Sequence, residues 1–168
     1  MTDVIKKNGV NFGVILGVFS IVATALIYSI DITMFASFWI GIIFIVVNLV
    51  LGIIAVAKSK RALGGFISFK EGFTVYFIAM ALGSAISSLF MYVLFNLIDP
   101  TAGQTIIDAS VEQTVTMMQN YGVSTSDIAE TVERIKESDN FSLGGIIQSY
   151  FFGLIFNIII GLIVAASF

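Results

Sequence analysis

Charged residues divide this 168-residue chain into long apolar segments. Four intervals of more than twenty residues contain no Asp, Glu, Lys or Arg. A charge at the centre of a bilayer costs roughly 2.5–3.5 kcal/mol, and about 20 apolar residues suffice to cross the hydrocarbon core as a helix. Backbone groups in that core must be paired within the segment, so each interval is predicted to be helical. We therefore predict an all-α polytopic membrane protein, a single membrane domain over residues 1–168 with transmembrane helices at about 9–30, 33–57, 70–98 and 141–167.

Short motifs mark the ends of several predicted helices. Ser68 and Glu71 fit a capping box, in which the Ser68 hydroxyl accepts from the amide of Glu71 and the Glu71 carboxylate reaches back. The third helix should begin at the next residue after Ser68. It should end at Asp99-Pro100, because proline disfavours helical geometry at the preceding residue and has no amide hydrogen. Only Asp31 separates the first two apolar intervals, which predicts a tight antiparallel hairpin of helices one and two.

The segment 100–140 is polar but has helical periodicity. Gly122 is a plausible helix stop, and Ser124 with Asp127 can cap a second helix. The apolar stripes are Ile107, Val111, Val115 and Met118 before the stop, and Ile128, Val132 and Ile135 after it. We predict a helical hairpin, inserted between spans three and four, whose two stripes cover each other. The alternatives are packing on the mouth of the bundle, on the membrane surface or on a partner protein.

The formal net charge of -3 conceals a segregation of charge. Six of the eight basic residues are Lys6, Lys7, Lys58, Lys60, Arg61 and Lys70, whereas the acidic excess lies in the segment 99–139. Because basic loops stay on the cytoplasmic side, we predict cytoplasmic termini and an extracytoplasmic hairpin at 100–140. The first apolar run is too long for a signal-peptide core, so we expect it to be retained despite the motif Ala23-Thr24-Ala25.

The composition limits the possible chemistry. The chain contains no histidine and no cysteine, so it offers no imidazole, thiolate or disulfide. The predicted spans provide serines without an adjacent base or a carboxylate pair, and we therefore expect no enzyme activity, cofactor or metal. The acidic hairpin lacks the ligand spacing of a calcium loop, and no basic stripe with aromatic residues suggests nucleic acid binding.

Two motifs resemble the signatures of a known family: Gly65-Phe66-Ile67-Ser68-Phe69-Lys70-Glu71-Gly72-Phe73 and Asn96-Leu97-Ile98-Asp99-Pro100. The chain resembles, over nearly its whole length, the bacterial membrane family catalogued as domain of unknown function 4199 (DUF4199). The resemblance implies a multi-pass protein of the bacterial cytoplasmic (inner) membrane and implies no activity. It also implies a short charged tail after Ser167, which this sequence lacks.

Small and polar residues recur at four-residue spacing within the predicted spans. We interpret these rows as packing seams, with Asn48 and Asn157 hydrogen-bonding between helices, because such residues gain little by facing lipid. The rows contain Gly9, Gly13 and Gly17 in span one; Asn48 and Gly52 in span two; Gly83, Ser84, Ser87, Ser88 and Asn96 in span three; and Gly145, Ser149, Gly153, Asn157 and Gly161 in span four. The alternative is a path or pocket for a neutral polar solute or lipid headgroup, lined by Asn48, Ser84, Ser88, Tyr92, Asn96 and Asn157.

Three functions are compatible with these features. We favour a small scaffold or accessory subunit that assembles with itself or with another membrane protein through its glycine seams or its hairpin. The alternative is a small channel or carrier for a neutral polar solute or lipid, which requires a cavity at Asn48 and Asn157. The acidic residues adjoining the spans, Asp31, Glu71 and Asp99, lie at span boundaries and not near the midplane, so coupled transport is not expected. A lipid-handling enzyme or its helper would need polar residues gathered at the cytoplasmic interface, where the candidates are Arg61, Lys70, Glu71 and Tyr76.

Overall fold

The computed structural model describes residues 3–168 and consists, over that range, of helices and their connections without a β-strand. Four of the helices are long and apolar enough to cross a membrane. The helices are α1 (Asp3–Ile30), α2 (Phe38–Ala62), α3 (Phe69–Tyr92, continued by a π-helical turn at Val93–Ile98), α4 (Ala102–Asn120), α5 (Thr125–Glu137) and α6 (Leu143–Ala166). The predicted all-α class with four candidate transmembrane helices is confirmed.

Helix α3 is central to the bundle, because it packs against α1, α2 and α6. Its buried small residues, Ala79 and Gly83, allow a neighbouring backbone to approach closely. Helix α1 also contacts α2, whereas α2 and α6 do not pack along each other within residues 3–168. A gap therefore remains between α2 and α6, and α3 forms its back.

The connection between α1 and α2 is a 3-10 turn at Ile32–Ala36, longer than the single residue expected from the sequence. The Asp31 carboxylate accepts hydrogen bonds from the Thr33 hydroxyl at 2.6 Å and from the Thr33 amide at 2.9 Å. These hydrogen bonds lower the pKa of Asp31, the hydroxyl having the larger effect. Because this cap starts a separate turn, α2 begins at Phe38 and not at residue 33.

The bundle has two ends with different surfaces. The basic end, where α1 and α3 begin and α2 and α6 end, carries Lys6, Lys7, Lys58, Lys60, Arg61 and Lys70. Its core includes Ile5, Leu16, Val56, Val75 and Tyr76, each no more than 1% exposed. The opposite end, called the hairpin end because α4 and α5 lie there, has its own cluster of Leu94, Phe95, Ala102 and Ile106. Apolar packing therefore closes both ends of the bundle.

Helices α4 and α5 are joined at Gly122, whose φ of +70° is a left-handed conformation that glycine adopts without a steric penalty. The Ser124 hydroxyl caps α5 by accepting from the amide of Asp127. Ile128 of α5 is buried, and α5 packs against α4, which itself packs on the turn at Ile32–Ala36. The extracytoplasmic location of this pair of helices stays a prediction.

Candidate functional site

The glycines of α1 face α3. The contacting pairs are Gly9 with Ile78, Gly13 with Leu82 and Gly17 with Ile86, and a Cβ atom added to any of these glycines would lie 2.7–2.9 Å from the Cβ of its partner. On α3, a Cβ added to Gly83 would lie 2.7 Å from the Cβ of Leu16. Carbon atoms normally approach to about 3.5–4.0 Å, so these positions have room only for hydrogen. The glycine row of α1 thus packs inside the chain.

Tyr76 lies between α2 and α6 at the basic-end half of the bundle. Its side chain is 1% exposed. A Cβ atom added to Gly52 would lie 2.5 Å from the Tyr76 ring, and one added to Gly161 would lie 2.8 Å from it. Met80, 3% exposed, packs beside the ring against Gly52. The Tyr76 ring of α3 therefore packs against both α2 and α6 at this level and fills the space between them.

Between Tyr76 and the hairpin end, α2, α3 and α6 enclose a cleft of about 520 Å³. This volume lies within the range of about 300–1,000 Å³ that is usual for small-molecule sites. The polar lining residues are Ser20, Asn48, Tyr76, Ser84, Ser87, Ser88, Asn140, Ser149, Tyr150 and Asn157. The apolar lining includes Phe44, Ile45, Leu49, Phe156 and Ile160. Eight residues singled out in the sequence, namely seven of the polar ones and Gly153, meet here.

The polar side chains of the cleft differ in how much of their hydrogen-bonding capacity is used. The Asn48 amide donates to the carbonyl of Phe44 at 2.6 Å, and the Ser84 hydroxyl donates to the carbonyl of Met80 at 2.7 Å. Within residues 3–168, no hydrogen bond is made by the side chains of Ser87, Ser88, Ser149 and Asn157. All four residues line the cleft, and no fully buried polar side-chain atom in that range lacks a partner, so this hydrogen-bonding capacity remains accessible.

The cleft opens sideways, in the gap between α2 and α6. Ile45 on α2 and Phe156 on α6 form its two lips and are 56% and 51% exposed. Gly153 lies inside the lips, and no atom comes within 4 Å of a Cβ added there. The space in front of Gly153 is therefore empty and continuous with the lateral surface of the bundle.

The four-residue row of α6 does not act as one seam. Gly161 packs on Tyr76, whereas Gly145 abuts the turn before α6 so closely that an added Cβ would overlap the carbonyl oxygen of Asp139. The middle of the row lines the cleft: Ser149, Gly153 and Asn157. The sequence spacing identified the face of the helix but not what each part of that face contacts.

Two residues of the predicted pocket, Tyr92 and Asn96, are not part of the cleft lining. A four-residue row advances by about 40° per step around a helix, and the π-helical turn shifts Asn96 further. The Asn96 amide instead donates to the carbonyl of Phe141 at 2.8 Å. The ring of Phe141 packs on Phe95 with 4.9 Å between centroids. Asn96 thus fixes the loop that precedes α6.

Three polar lining residues were missed from the sequence. Tyr150 donates its hydroxyl to the carbonyl of Ala81 at 3.3 Å. Ser20 reaches the cleft from α1 and is 6% exposed. It lies about one turn after Gly17, and that spacing is a signal that could have identified it. Asn140 lies in a loop, where no periodicity indicates the direction of a side chain.

The residues considered for lipid chemistry at the basic end do not form a site. The Glu71 carboxylate accepts from the Ser68 hydroxyl at 2.7 Å and from its amide at 3.0 Å, while the Ser68 hydroxyl accepts from the Glu71 amide at 3.4 Å. Glu71 therefore starts α3. Tyr76 is buried at the floor of the cleft, and Arg61 and Lys70 are exposed. Over residues 3–168 no group of acidic residues is arranged to hold a metal ion.

Asp99 connects three helices at the hairpin end. Its carboxylate accepts from the hydroxyls of Thr101 at 2.7 Å and of Tyr28 in α1 at 2.9 Å. It also accepts from the amides of Thr101 and Ala102 at the start of α4. The Thr101 hydroxyl, followed by that of Tyr28, lowers the pKa of Asp99. Asp99 thus caps α4 as well as ending α3, and Pro100 follows it in the connection.

The outward faces of the long helices carry large exposed apolar side chains. Examples are Val18 at 52%, Trp39 at 71% and Phe152 at 64% exposure. A soluble monomer rarely exposes contiguous apolar surface on this scale, whereas a bilayer covers it. The fold therefore defines a polytopic helical membrane protein in a lipid environment.

The chain belongs to the family described as protein of unknown function (DUF4199), whose family model matches residues 11–168. This match confirms the resemblance carried by the two sequence motifs. Comparisons with curated proteins and with solved structures found no match.

Proposed function

We propose that this membrane protein binds a neutral polar solute or lipid in the cleft between α2, α3 and α6, as a binding protein or carrier. The observation that carries the proposal is the convergence of Asn48, Ser84 and Asn157, each near the middle of a different helix, on one open space. Polar groups at this depth in hydrocarbon are unfavourable unless they find partners. Asn48 and Ser84 already donate to backbone carbonyls, whereas the Asn157 side chain makes no hydrogen bond within residues 3–168. A ligand with its own donors and acceptors would supply partners for Asn157 and for the remaining capacity of the other two.

The lining supports a neutral ligand. None of the described residues that line the cleft is charged, and the polar ones carry hydroxyl or carboxamide groups. A charged ligand would lose its hydration in the cleft without gaining an opposite charge, which is strongly unfavourable in a low-dielectric environment. Hydroxyls and carboxamides can both donate to and accept from an uncharged polar group.

The closed floor favours binding over conduction. A channel needs a polar path that continues to both ends of the bundle. Tyr76 and Met80 form the floor of the cleft and are 1% and 3% exposed. A channel would require both side chains to move, whereas a binding site or the loading site of a carrier needs no such movement.

Native mass spectrometry of the full chain, purified from its own membranes in mild detergent, tests the proposal. We expect one small molecule bound per chain. Gly153→Leu should abolish binding, because its side chain would fill the empty space in front of Gly153. The matched control is Gly41→Leu, since an added Cβ at Gly41 also meets no atom within 4 Å but lies outside the cleft lining.

Binding that is equal in the two variants would contradict the proposal, because the ligand would then lie elsewhere. Absence of any bound molecule from the wild-type chain, in several mild detergents, would also count against it. Comparable yield and elution of both variants would show that loss of the ligand is not a loss of folding.

A scaffold or accessory subunit is the second candidate function. The observation that favours it lies at the hairpin end, where Tyr121 is 82% exposed and Met117 is 53% exposed. Both border a depression of about 690 Å³ between α4 and the turn after α1. Aromatic residues and methionine are enriched at protein interfaces. This function predicts one co-purifying partner at a fixed ratio, lost in Tyr121→Ser without loss of any cleft ligand.

We also propose that both termini are cytoplasmic and that the protein lies in the bacterial inner membrane. The six basic residues at one end support this orientation. Since the chain has no cysteine, single substitutions can report the side. A membrane-impermeant maleimide should label Tyr121→Cys in intact spheroplasts and Arg61→Cys only after permeabilisation. The reverse pattern would overturn the orientation.

A further inference from the structure

We propose that the cleft takes an amphiphile with an uncharged head that bears hydroxyl or carbonyl groups, of the diacylglycerol type, and that this molecule enters sideways from the bilayer between α2 and α6. The inference rests on the proposed function. It adds the chemical class of the ligand and its route.

The route follows from where the cleft is open and where it is covered. Its lateral side is open between the exposed lips Ile45 and Phe156. Its hairpin end is covered by the loop that carries Phe141, which is held by the Asn96 hydrogen bond at 2.8 Å and by packing on Phe95. The opposite end is closed by Tyr76. A molecule therefore reaches the cleft through the lipid-facing side.

The amphiphilic character follows from how polarity is distributed across the cleft. The back wall, formed by α3, presents Ser84, Ser87 and Ser88. The lips are apolar and half-exposed. A polar head at the back wall would hydrogen-bond with the serines and with Asn157, while an acyl chain would pass between the lips into the surrounding hydrocarbon. A purely polar solute would have to pass from hydrocarbon between these apolar lips, which is unfavourable for groups without hydrogen-bond partners.

A transmembrane helix from a partner protein is too large for this site. A helix about 10 Å across that crosses a 30 Å core occupies more than about 2,000 Å³. The cleft measures about 520 Å³ and is closed at both ends. The head and upper chain of one lipid are of a more suitable size, and the remaining chain can stay in the bilayer.

Photo-crosslinking in vesicles tests the inference. The full chain is reconstituted in phosphatidylcholine with a trace of diacylglycerol that carries a photoactivatable group near its head, and labelled peptides are identified by mass spectrometry. We expect labelling within the α2 and α6 segments that line the cleft. Unlabelled diacylglycerol should compete, whereas phosphatidylglycerol, with a charged head, and glycerol, without acyl chains, should not.

Variants distinguish the cleft from the general lipid-facing surface. Gly153→Leu should abolish cleft labelling, while Gly41→Leu should retain it. Asn157→Leu should weaken labelling roughly tenfold, as expected for the loss of one intramembrane hydrogen bond at the upper end of the measured range. Equal labelling in all three variants would overturn the inference, since the probe would then report only lipid around the bundle.

The two proposals fail in different ways. If native mass spectrometry finds a bound molecule that Gly153→Leu removes, but glycerol or another water-soluble neutral compound competes and diacylglycerol does not, the lipid inference is wrong and the proposed function stands. If phosphatidylglycerol competes as well as diacylglycerol, the uncharged-head requirement is wrong. If no preparation holds a ligand and no probe labels the cleft, both proposals are wrong.

Discussion

The contact between α1 and α3 gives a prediction whose magnitude can be worked out from the structure. In Gly17→Ala, the new Cβ would lie 2.7 Å from the Cβ and Cγ2 of Ile86 and 2.8 Å from its Cδ1. Relief to an ordinary carbon contact of about 3.5–4.0 Å requires a movement of roughly 1 Å. The Ile86 Cβ is attached to the backbone, so rotating the side chain cannot supply that movement.

The expected change in the free energy of unfolding is the sum of two opposing effects. Overpacking of this kind typically costs about 1–3 kcal/mol, and replacing a helical glycine by alanine returns up to about 1 kcal/mol. Gly17→Ala should therefore be less stable than wild type by about 0–2 kcal/mol, and less stable than Gly41→Ala by the whole overpacking cost of about 1–3 kcal/mol. Gly41→Ala, where an added Cβ meets no atom within 4 Å, should be neutral or more stable by up to about 1 kcal/mol.

Unfolding of the full chain in mild detergent by titration with dodecyl sulfate, followed by the fluorescence of Trp39, measures both variants. A double substitution sharpens the test, because Ile86→Ala removes two of the three close atoms. Gly17→Ala combined with Ile86→Ala should lose less stability than the sum of the single losses. Equal stability of Gly17→Ala and Gly41→Ala, or additive effects of the two substitutions at the contact, would show that Ile86 does not exclude a methyl group at position 17.

Two further predictions concern the hairpin end. Since its hydrogen bonds lower the pKa of Asp99, the stability contributed by this carboxylate is present above the unfolded value near 3.9 and is lost as the pH falls below it. The protection of the α4 amides, measured as their exchange rate relative to the intrinsic rate at the same pH, should fall below about pH 4. Asp99→Asn should remove part of that dependence, Asp31 accounting for another part, and an unchanged profile in Asp99→Asn would contradict this. Gly122→Ala should destabilise the α4–α5 turn by about 1–2 kcal/mol, because φ there is +70°. Gly144→Ala, which meets only a distant serine hydroxyl at 3.7 Å, should leave exchange in α5 unchanged, and equal exchange in the two glycine variants would show that the left-handed turn contributes nothing.

Much of the local structure was predictable because its signals are local. Ser68 starts α3 by accepting from an amide three residues on, and Asp99-Pro100 ends it within a single peptide bond. The turn between α1 and α2 was not predicted. The turn forms because the Asp31 carboxylate accepts hydrogen bonds from Thr33. In the sequence, Asp31 is recognisable only as the charged residue between two apolar intervals.

The candidate site was predictable only in part. The sequence identified most of the polar residues that line the cleft, because polar side chains are rare within its apolar segments. Their partners were not evident. Gly17 and Gly153 look alike in the sequence, yet one packs against Ile86 and the other faces empty space.

The sequence by itself determined that the chain forms four long apolar helices, where several of them end, which family it belongs to, and that its intramembrane polar groups are uncharged. The tertiary structure alone decided that α3 is central, that α2 and α6 stay apart, and which small residues pack and which line the cleft. The physical reason is the solvent. In water, an apolar stripe distinguishes the buried face of a helix from the exposed one, but in lipid both faces are apolar, so only close packing selects the neighbours.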